Sequence, residues 1–421
     1  MSSSLAGHTP GLIGLVVALA AANPACGEEA HAHPHSAPAI PSPRLIDISL
    51  DVLTAAGGST VEDADLGGLQ AGHHDPARRG FTLQQVEMAL VGAVDPYFTA
   101  SAYAVMGEEG VELEEAYALT TSLPHDLQAK AGYFLTEFGR TNPTHPHALP
   151  WLTRAVVATR MFGADGTRAA GVRLAWLAPL PWYSRVLVSG QNPADDTAAS
   201  FRGLVDEDDS TITVGGRPRL DDEQTHALGD LLWLLRWENG GDFGDVSAKL
   251  GVSFLSGANA TGGDAQTRIY GIDAVAKWTP PGGRQGHPFV QVEAEVIRRD
   301  FQADAFDDGI TPPLAAEELH DQGGYAQALY GFIPGWAAGL RGEWAGGDGG
   351  NSGDARRNDP ARADRIRLSP LLIWNPSHFS KLRLEYDYDR FDHPTADGDD
   401  QAHAVWLGLE VLFGAHPAHS F

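Results

Sequence analysis

From residue 45 onward the chain alternates between apolar and polar positions. In "HAVWLGLEVLF", Val405, Leu407, Leu409, Val411 and Phe413 fall on one face of an extended chain, and Trp406, Gly408, Glu410 and Leu412 on the other. "KLRLEYDYDRF" sets Leu382, Leu384, Tyr386 and Tyr388 against Lys381, Arg383, Glu385, Asp387 and Asp389. "IYGIDAVAKW" opposes Tyr270, Ile272, Ala274, Ala276 and Trp278 to Asp273 and Lys277. A period of two belongs to a strand whose faces meet different surroundings. About sixteen such segments begin near Leu45, Phe81, Tyr97, Val111, Leu127, Thr167, Trp182, Ala227, Val246, Thr267, Phe289, Tyr325, Trp336, Ile366, Leu382 and Ala404. "HALGDLLWLLRWENGG" is apolar on both faces and fits a buried helix almost as well. Pro370 inside "IRLSPLLIW" predicts a bulge.

The connections alternate too. Tight turns lie at Asp95, "LPHD", "PLP", "NGGDFG", "PPGGRQGHP", "IPG" and "NPSH". Between them lie longer polar loops at 55–80, 140–165, 192–226, 257–265, 302–322, 345–362 and 392–400, with "GEEG" (107–110) the one short member on that side. Seven turns interleaved with eight loops give sixteen strands whose two ends share the tight-turn side. Several strands run about 9 to 13 residues, enough for a tilted strand to cross a bilayer, whereas sandwich strands commonly run about 5 to 6. Trp278, Trp336, Trp344, Trp374 and Tyr388 sit near the ends of apolar stripes, as in an interfacial belt. Lipid tolerates no unpaired sheet edge. The expected fold is therefore all-β: a closed antiparallel transmembrane β-barrel of about sixteen strands, covering 45–421, with a soluble sandwich as the alternative.

Charge narrows the function. With 55 acidic against 29 basic residues the net charge is −26, which excludes nucleic acid as a partner, since phosphates need Lys and Arg. The run "GLIGLVVALAAA" (Gly11 to Ala22) is too short to span a membrane and is followed by small residues, so 1–25 reads as a secretory signal. Residues 26–44 read as a flexible His/Pro-rich leader, in which His31, His33 and His35 either catch metal weakly or are solvated. Cys26, the sole cysteine, is either a lipid-attachment site or a stray thiol, and no disulfide is possible. The expected location is the outer membrane of a Gram-negative bacterium, with its lipid and small polar solutes or ions as partners. A homo-oligomer stays open.

The polar strand faces carry Lys130, Arg173, Asp273, Glu293, Glu295, Arg341, Glu343, Arg367, Arg383, Glu385 and Asp387, expected to line a pore. Facing rows of opposite charge set a transverse field and a selectivity, expected to favour cations weakly; in a narrow barrel the charges pair off instead. The 140–165 loop is the expected constriction. Metal candidates are His145, His147, His416 and His419, with His73 and His74 beside them, because neutral imidazoles suit zinc. Strand parity places His145, His147, His73 and His74 outside the cell and the tail in the periplasm. The acidic runs "DEDDS" (206–210) and "DDE" (221–223), and "GGDGGNSGD" (346–354), either bind calcium or are solvated. No G-x-S-x-G occurs, so the chain is expected not to be an enzyme, and no cofactor is implied.

"GYFLTEFGRTNPTHPHALPW" (Gly132 to Trp151), preceded by "EEAYALTTSLPHDLQAKAG", resembles porins of the phosphate-selective type. Together with the terminal "GAHPAHSF" it resembles the plugless, zinc-regulated, receptor-like outer-membrane proteins. The resemblance implies a sixteen-stranded barrel with a polar pore. An apolar last strand ending in Phe413 resembles the recognition signal of such barrels and implies the barrel-assembly machinery as a partner, although this chain continues to Phe421. Two departures stand out. Only four lysines are present, so a phosphate-holding cluster is missing, and some twenty residues between signal and first strand leave no room for a receptor plug. Passive diffusion of small polar solutes or ions is the expected function, with zinc uptake or a closed structural or adhesive barrel as alternatives.

Overall fold

A computed structural model describes residues 46–414 except 70–71, 77, 109, 204–216, 218–226, 308, 310–312, 349–361 and 393–397. The signal and leader, both acidic runs, most of the glycine-rich run, and His416 and His419 fall outside the described residues.

Sixteen strands form the unit Arg44–Phe421: β1 (Ile46–Ser59), β2 (Gly80–Ala93), β3 (Phe98–Met106), β4 (Val111–Thr120), β5 (Leu127–Leu135), β6 (Arg168–Leu177), β7 (Tyr183–Gln191), β8 (Leu232–Phe243), β9 (Val246–Ala258), β10 (Gln266–Trp278), β11 (Phe289–Ala303), β12 (Glu317–Ile333), β13 (Trp336–Asp348), β14 (Arg365–Ser377), β15 (Ser380–Phe391) and β16 (Gln401–Gly414). Each pairs antiparallel with its neighbour in sequence, and β16 returns to β1 with Val411 opposite Val52, so the sheet closes. Closure gives every strand two partners, as hydrocarbon requires. Eight longer connections gather at one end and seven tight turns at the other.

Outward positions are apolar and exposed, among them Leu250, Val252, Ile272, Val296, Leu340, Ile366 and Leu407. Trp336 stacks on Trp374 at the tight-turn end, ring centroids 5.5 Å apart, and Trp278 and Trp344 are also outward-facing. No helix among the described residues is long and apolar enough to cross a membrane.

β8 is a strand, as counted, and not the helix that its apolar pattern fits almost as well: Trp233, Leu235 and Trp237 face outward, while Leu232 and Leu234 face an apolar cluster inside, which is why both faces are apolar. Two expectations are corrected. Pro370 makes no bulge, because the β14–β15 register is the same on either side of it (Leu368 opposite Tyr388, Leu371 opposite Glu385). β12 begins at Glu317 rather than near Tyr325, because the polar "EELHDQGG" continues the ladder against β11 and needs no apolar outer face there. Bulges lie instead at Gln84 in β2 and Glu114 in β4, where the register steps by one residue. Each puts two successive side chains on the inner side: Gln84 with Gln85, and Glu114 with Glu115, all four buried.

Candidate channel interior

The β5–β6 connection, residues 136–167, folds into the barrel instead of standing above it. Its neck is closed by Asn142, whose side-chain amide donates to the Thr136 carbonyl (2.7 Å) and the Thr167 carbonyl (3.1 Å), while its oxygen accepts from the Thr167 N–H (3.0 Å). Its backbone then meets inward carboxylates strand by strand. Glu295 of β11 accepts from the Thr141 N–H (3.2 Å) and hydroxyl (3.1 Å). Glu343 of β13 accepts from the Val156 N–H (2.7 Å), and Glu385 of β15 from the Leu152 N–H (2.5 Å) and the Thr153 hydroxyl (2.6 Å). Arg341 and Arg383 donate to the Thr153 carbonyl (2.9 Å) and the Leu149 carbonyl (3.1 Å). Gly139 is in the left-handed region (φ +60°) directly against Glu295, where any side chain would collide.

A short helix in the first long loop is α1 (Asp63–Leu69); the helix of this loop, α2 (Val156–Phe162), carries Val157, Ala158, Met161 and Phe162 onto Leu234, Leu255, Ile269 and Ile297 of the wall. Trp151 packs among Leu329, Ala337, Leu371 and Ile373, and Leu152 against Trp406 and Ala404. Where the loop packs, from Leu232 at the start of β8 round to β16, the interior is thus filled. The first long loop is tied to it: Asp75 accepts from the Arg154 N–H (2.9 Å), and His73 Nδ1 lies 3.0 Å from Asp165 Oδ1. Burial pushes the Asp75 carboxyl up to about 6, against the lowering effect of that N–H and of Arg367 and Arg341.

Beside β1–β9 the interior is open, as a cavity of about 760 Å³. Its wall is sorted by charge. Asp51, Glu87 and Glu115 come from β1, β2 and β4; Lys130, Arg173, Arg185, Arg236 and Lys249 come from successive strands β5 to β9. Arg140 reaches in from the loop, and Glu137 and Glu238 sit within the basic sector, bonded to Lys130 (2.8 Å) and Arg185 (2.6 Å). Five carboxylates face six cationic side chains, so the chain's acid excess does not reach this wall.

The loop presents its two histidines to the acidic sector. His145 Nδ1 lies 3.0 Å from Glu87 Oε2 and 3.1 Å from Glu114 Oε2; its Nε2 lies 2.9 Å from Glu115 Oε2. His147 Nδ1 is 3.0 Å from the same Glu87 oxygen. Burial disfavours the imidazolium of His145, yet the carboxylates of Glu114 and Glu87 outweigh it and hold the group well above the ordinary imidazole range. These histidines belong to the loop expected to form the constriction; it folds into the barrel and carries them onto carboxylates of β2 and β4.

All eleven side chains expected to line a pore point inward, but they divide in two. Lys130 and Arg173 line the cavity. The other nine lie on the filled side or beneath the loop. Asp273 pairs with Arg236 (2.6 Å) and Glu293 with Arg140 (2.9 Å). Arg367 pairs with Asp389 (2.9 Å), and Asp387 accepts from the Ser369 hydroxyl. Glu295, Arg341, Glu343, Arg383 and Glu385 hold the loop. Asp51, Glu87, Glu114, Glu115, Arg185 and Arg236 were missed. For Glu114 the strand pattern carried no signal, since its inward position depends on the bulge.

No protein-family model matches the chain. An uncharacterized protein of Aquifex aeolicus is 28% identical over 406 residues, 90% of this chain and 80% of that protein. The barrel is similar to the outer membrane channel DcaP of Acinetobacter baumannii (TM-score 0.57, 14% identity, 87% of this chain and 97% of that one). It is also similar to the anion-selective porin from Comamonas acidovorans (TM-score 0.52, 9% identity, 87% and 99%). A third is OmpT, an outer membrane protein of Vibrio cholerae (TM-score 0.52, 8% identity, 87% and 99%). At such identities the fold is what is shared: a plugless, sixteen-stranded, porin-like outer-membrane barrel. The resemblance to zinc-regulated receptor-like proteins gains no support from these comparisons. The expectation that the chain is not an enzyme is corrected here: likeness to solved barrels at 8 to 14% identity shows the fold alone and does not exclude catalysis.

Proposed function

We propose that the chain is a channel in the outer membrane of a Gram-negative bacterium, through which small polar solutes or ions diffuse passively. The observation that carries this reading is the contrast between the two halves of the interior. One half is packed with apolar side chains beneath α2; the other keeps a cavity of about 760 Å³ walled by charge. A barrel that needed only stability would fill both halves alike, because an unfilled polar cavity leaves charged groups short of partners. Acidic and basic sectors along one passage orient a solute's dipole and select by charge placement. In this reading the long loops face the exterior and the tight turns the periplasm. Residues 1–25 are the export signal, 26–44 the leader, and β16 the strand read by the barrel-assembly machinery. The scarcity of lysine argues against phosphate as the solute, despite the resemblance in Gly132–Trp151. Proteoliposome swelling tests the reading. Vesicles containing the protein should swell in isotonic glycine or arabinose far faster than empty ones and slowly in raffinose; equal rates with and without protein refute it.

A further inference from the structure

We infer that the acidic corner of the cavity is a binding site for a divalent transition-metal ion, held by Glu87, His145 and His147. This names a ligand class for the channel and rests on the channel reading. The three side chains offer donor atoms that all lie within 4.8 Å of one another, Glu87 and His147 being buried and His145 nearly so. Two imidazoles and a carboxylate are a donor set that zinc-like ions favour and that magnesium and calcium, which seek oxygen, do not. The spacing has a simple origin. Pro146 starts a one-turn 3-10 helix (Pro146–Ala148), and His145 and His147 flank that proline with their rings 5.7 Å apart, edge to face. Glu87 comes from the opposite partner, the β2 wall.

Two further observations point to a cation. Glu114 and Glu115, turned inward together by the bulge, put two more carboxylates against His145. Asp51, directly opposite Glu87 in the β1–β2 ladder, is 4% exposed, lines the same cavity, and has neither carboxylate oxygen hydrogen-bonded. A buried carboxylate without a partner is a strong ligand-seeking feature. Four carboxylates meet two imidazoles here; with both imidazoles neutral as ligands, the proton on His145 being released on binding, a divalent ion offsets two of the four negative charges. Such an ion would also tie the constriction loop to the wall, so that occupancy narrows the passage it sits in.

The full chain, folded in detergent micelles and stripped with EDTA, is titrated with zinc chloride by calorimetry and then studied in planar bilayers. This site should bind one ion at micromolar or tighter dissociation constant, and that binding should weaken at least tenfold in the double variant H145A/H147A and in Glu87→Gln, but not in His125→Ala, which lies in the β4–β5 turn. Micromolar zinc should reduce single-channel conductance of the parent, millimolar magnesium should not, and His147→Gln should relieve the zinc effect. Unchanged zinc stoichiometry in H145A/H147A, or equal conductance with and without zinc, overturns the site. The two readings separate in EDTA: conductance without a zinc response ends the metal site and leaves the channel, whereas silence in EDTA ends the channel itself. Should the double variant fail to fold, the zinc-against-magnesium comparison on the parent decides alone.

Discussion

The Thr153 hydroxyl donates to Glu385 Oε1 at 2.6 Å, joining the middle of the inward loop to a strand 232 residues further along the chain. The same carboxylate accepts from the Leu152 N–H, so one side chain holds two consecutive residues. Glu385→Ala removes both bonds and leaves two buried donors unmatched, at about 1–3 kcal/mol each. The loop should loosen: single-channel conductance should rise and become noisier, with the barrel still resisting denaturation by SDS when unheated. Conductance identical to the parent's would show that Glu385 does not position the loop.

Charge placement around the cavity makes a paired prediction. Asp51→Asn removes a carboxylate from the acidic sector, and Lys249→Gln a cation from the basic one. In a tenfold KCl gradient the parent's reversal potential should be small, since five carboxylates face six cations. Asp51→Asn should move it toward anion preference and Lys249→Gln toward cation preference, both more strongly at low salt, where screening is weak. Shifts of the same sign in both variants would contradict the sorted wall.

Asp75 gives the pH dependence. Burial pushes its carboxyl in the folded chain up from the ordinary 3.8 to about 6. As pH rises, the unfolded chain releases this proton first, so stability from this group is fully present below about pH 4 and lost as pH passes through 6. A gap near two units corresponds to roughly 3 kcal/mol. Asp75→Asn escapes that loss, although it gives up one of the acceptors now serving Arg154 and Gly72. Urea unfolding from vesicles should therefore favour the variant over the parent by about 2–3 kcal/mol more at pH 7.5 than at pH 4. An equal difference at both pH values would count against it.

The outer face is tested at Ile272, which is outward and mid-strand, flanked by Val296 on β11 and Val252 on β9. Ile272→Arg puts charge in the hydrocarbon and should cost about 2–4 kcal/mol, seen as a loss of folding yield into lipid vesicles. A variant that folds as well as the parent would mean that this face does not meet lipid.

The outer surface of this barrel was legible in the sequence because lipid is a uniform solvent. Apart from β8, apolar on both faces, and the bulged β2 and β4, the strands repeat the same alternation, and the count of sixteen with its alternating loops and turns follows from it. The interior was legible only in parity. Lys130 and Glu385 both point inward, yet one lines the cavity and the other holds a loop, and the difference lies in which sector residues 136–167 occupy. That choice is made by pairs such as Thr141 with Glu295 and Thr153 with Glu385, more than 150 residues apart, and no local pattern encodes them. Nor does "HPH" say which wall the loop meets, because Glu87, Glu114 and Glu115 come from other strands. Glu114 was hidden by a bulge, which breaks the period on which strand reading depends.

Single-channel recording in planar lipid bilayers tests the central claim most directly. The purified chain, reconstituted in EDTA at symmetric 1 M KCl, should give discrete conductance steps, larger in Glu385→Ala than in the parent. A chain that inserts and folds but stays electrically silent in both forms would contradict the account.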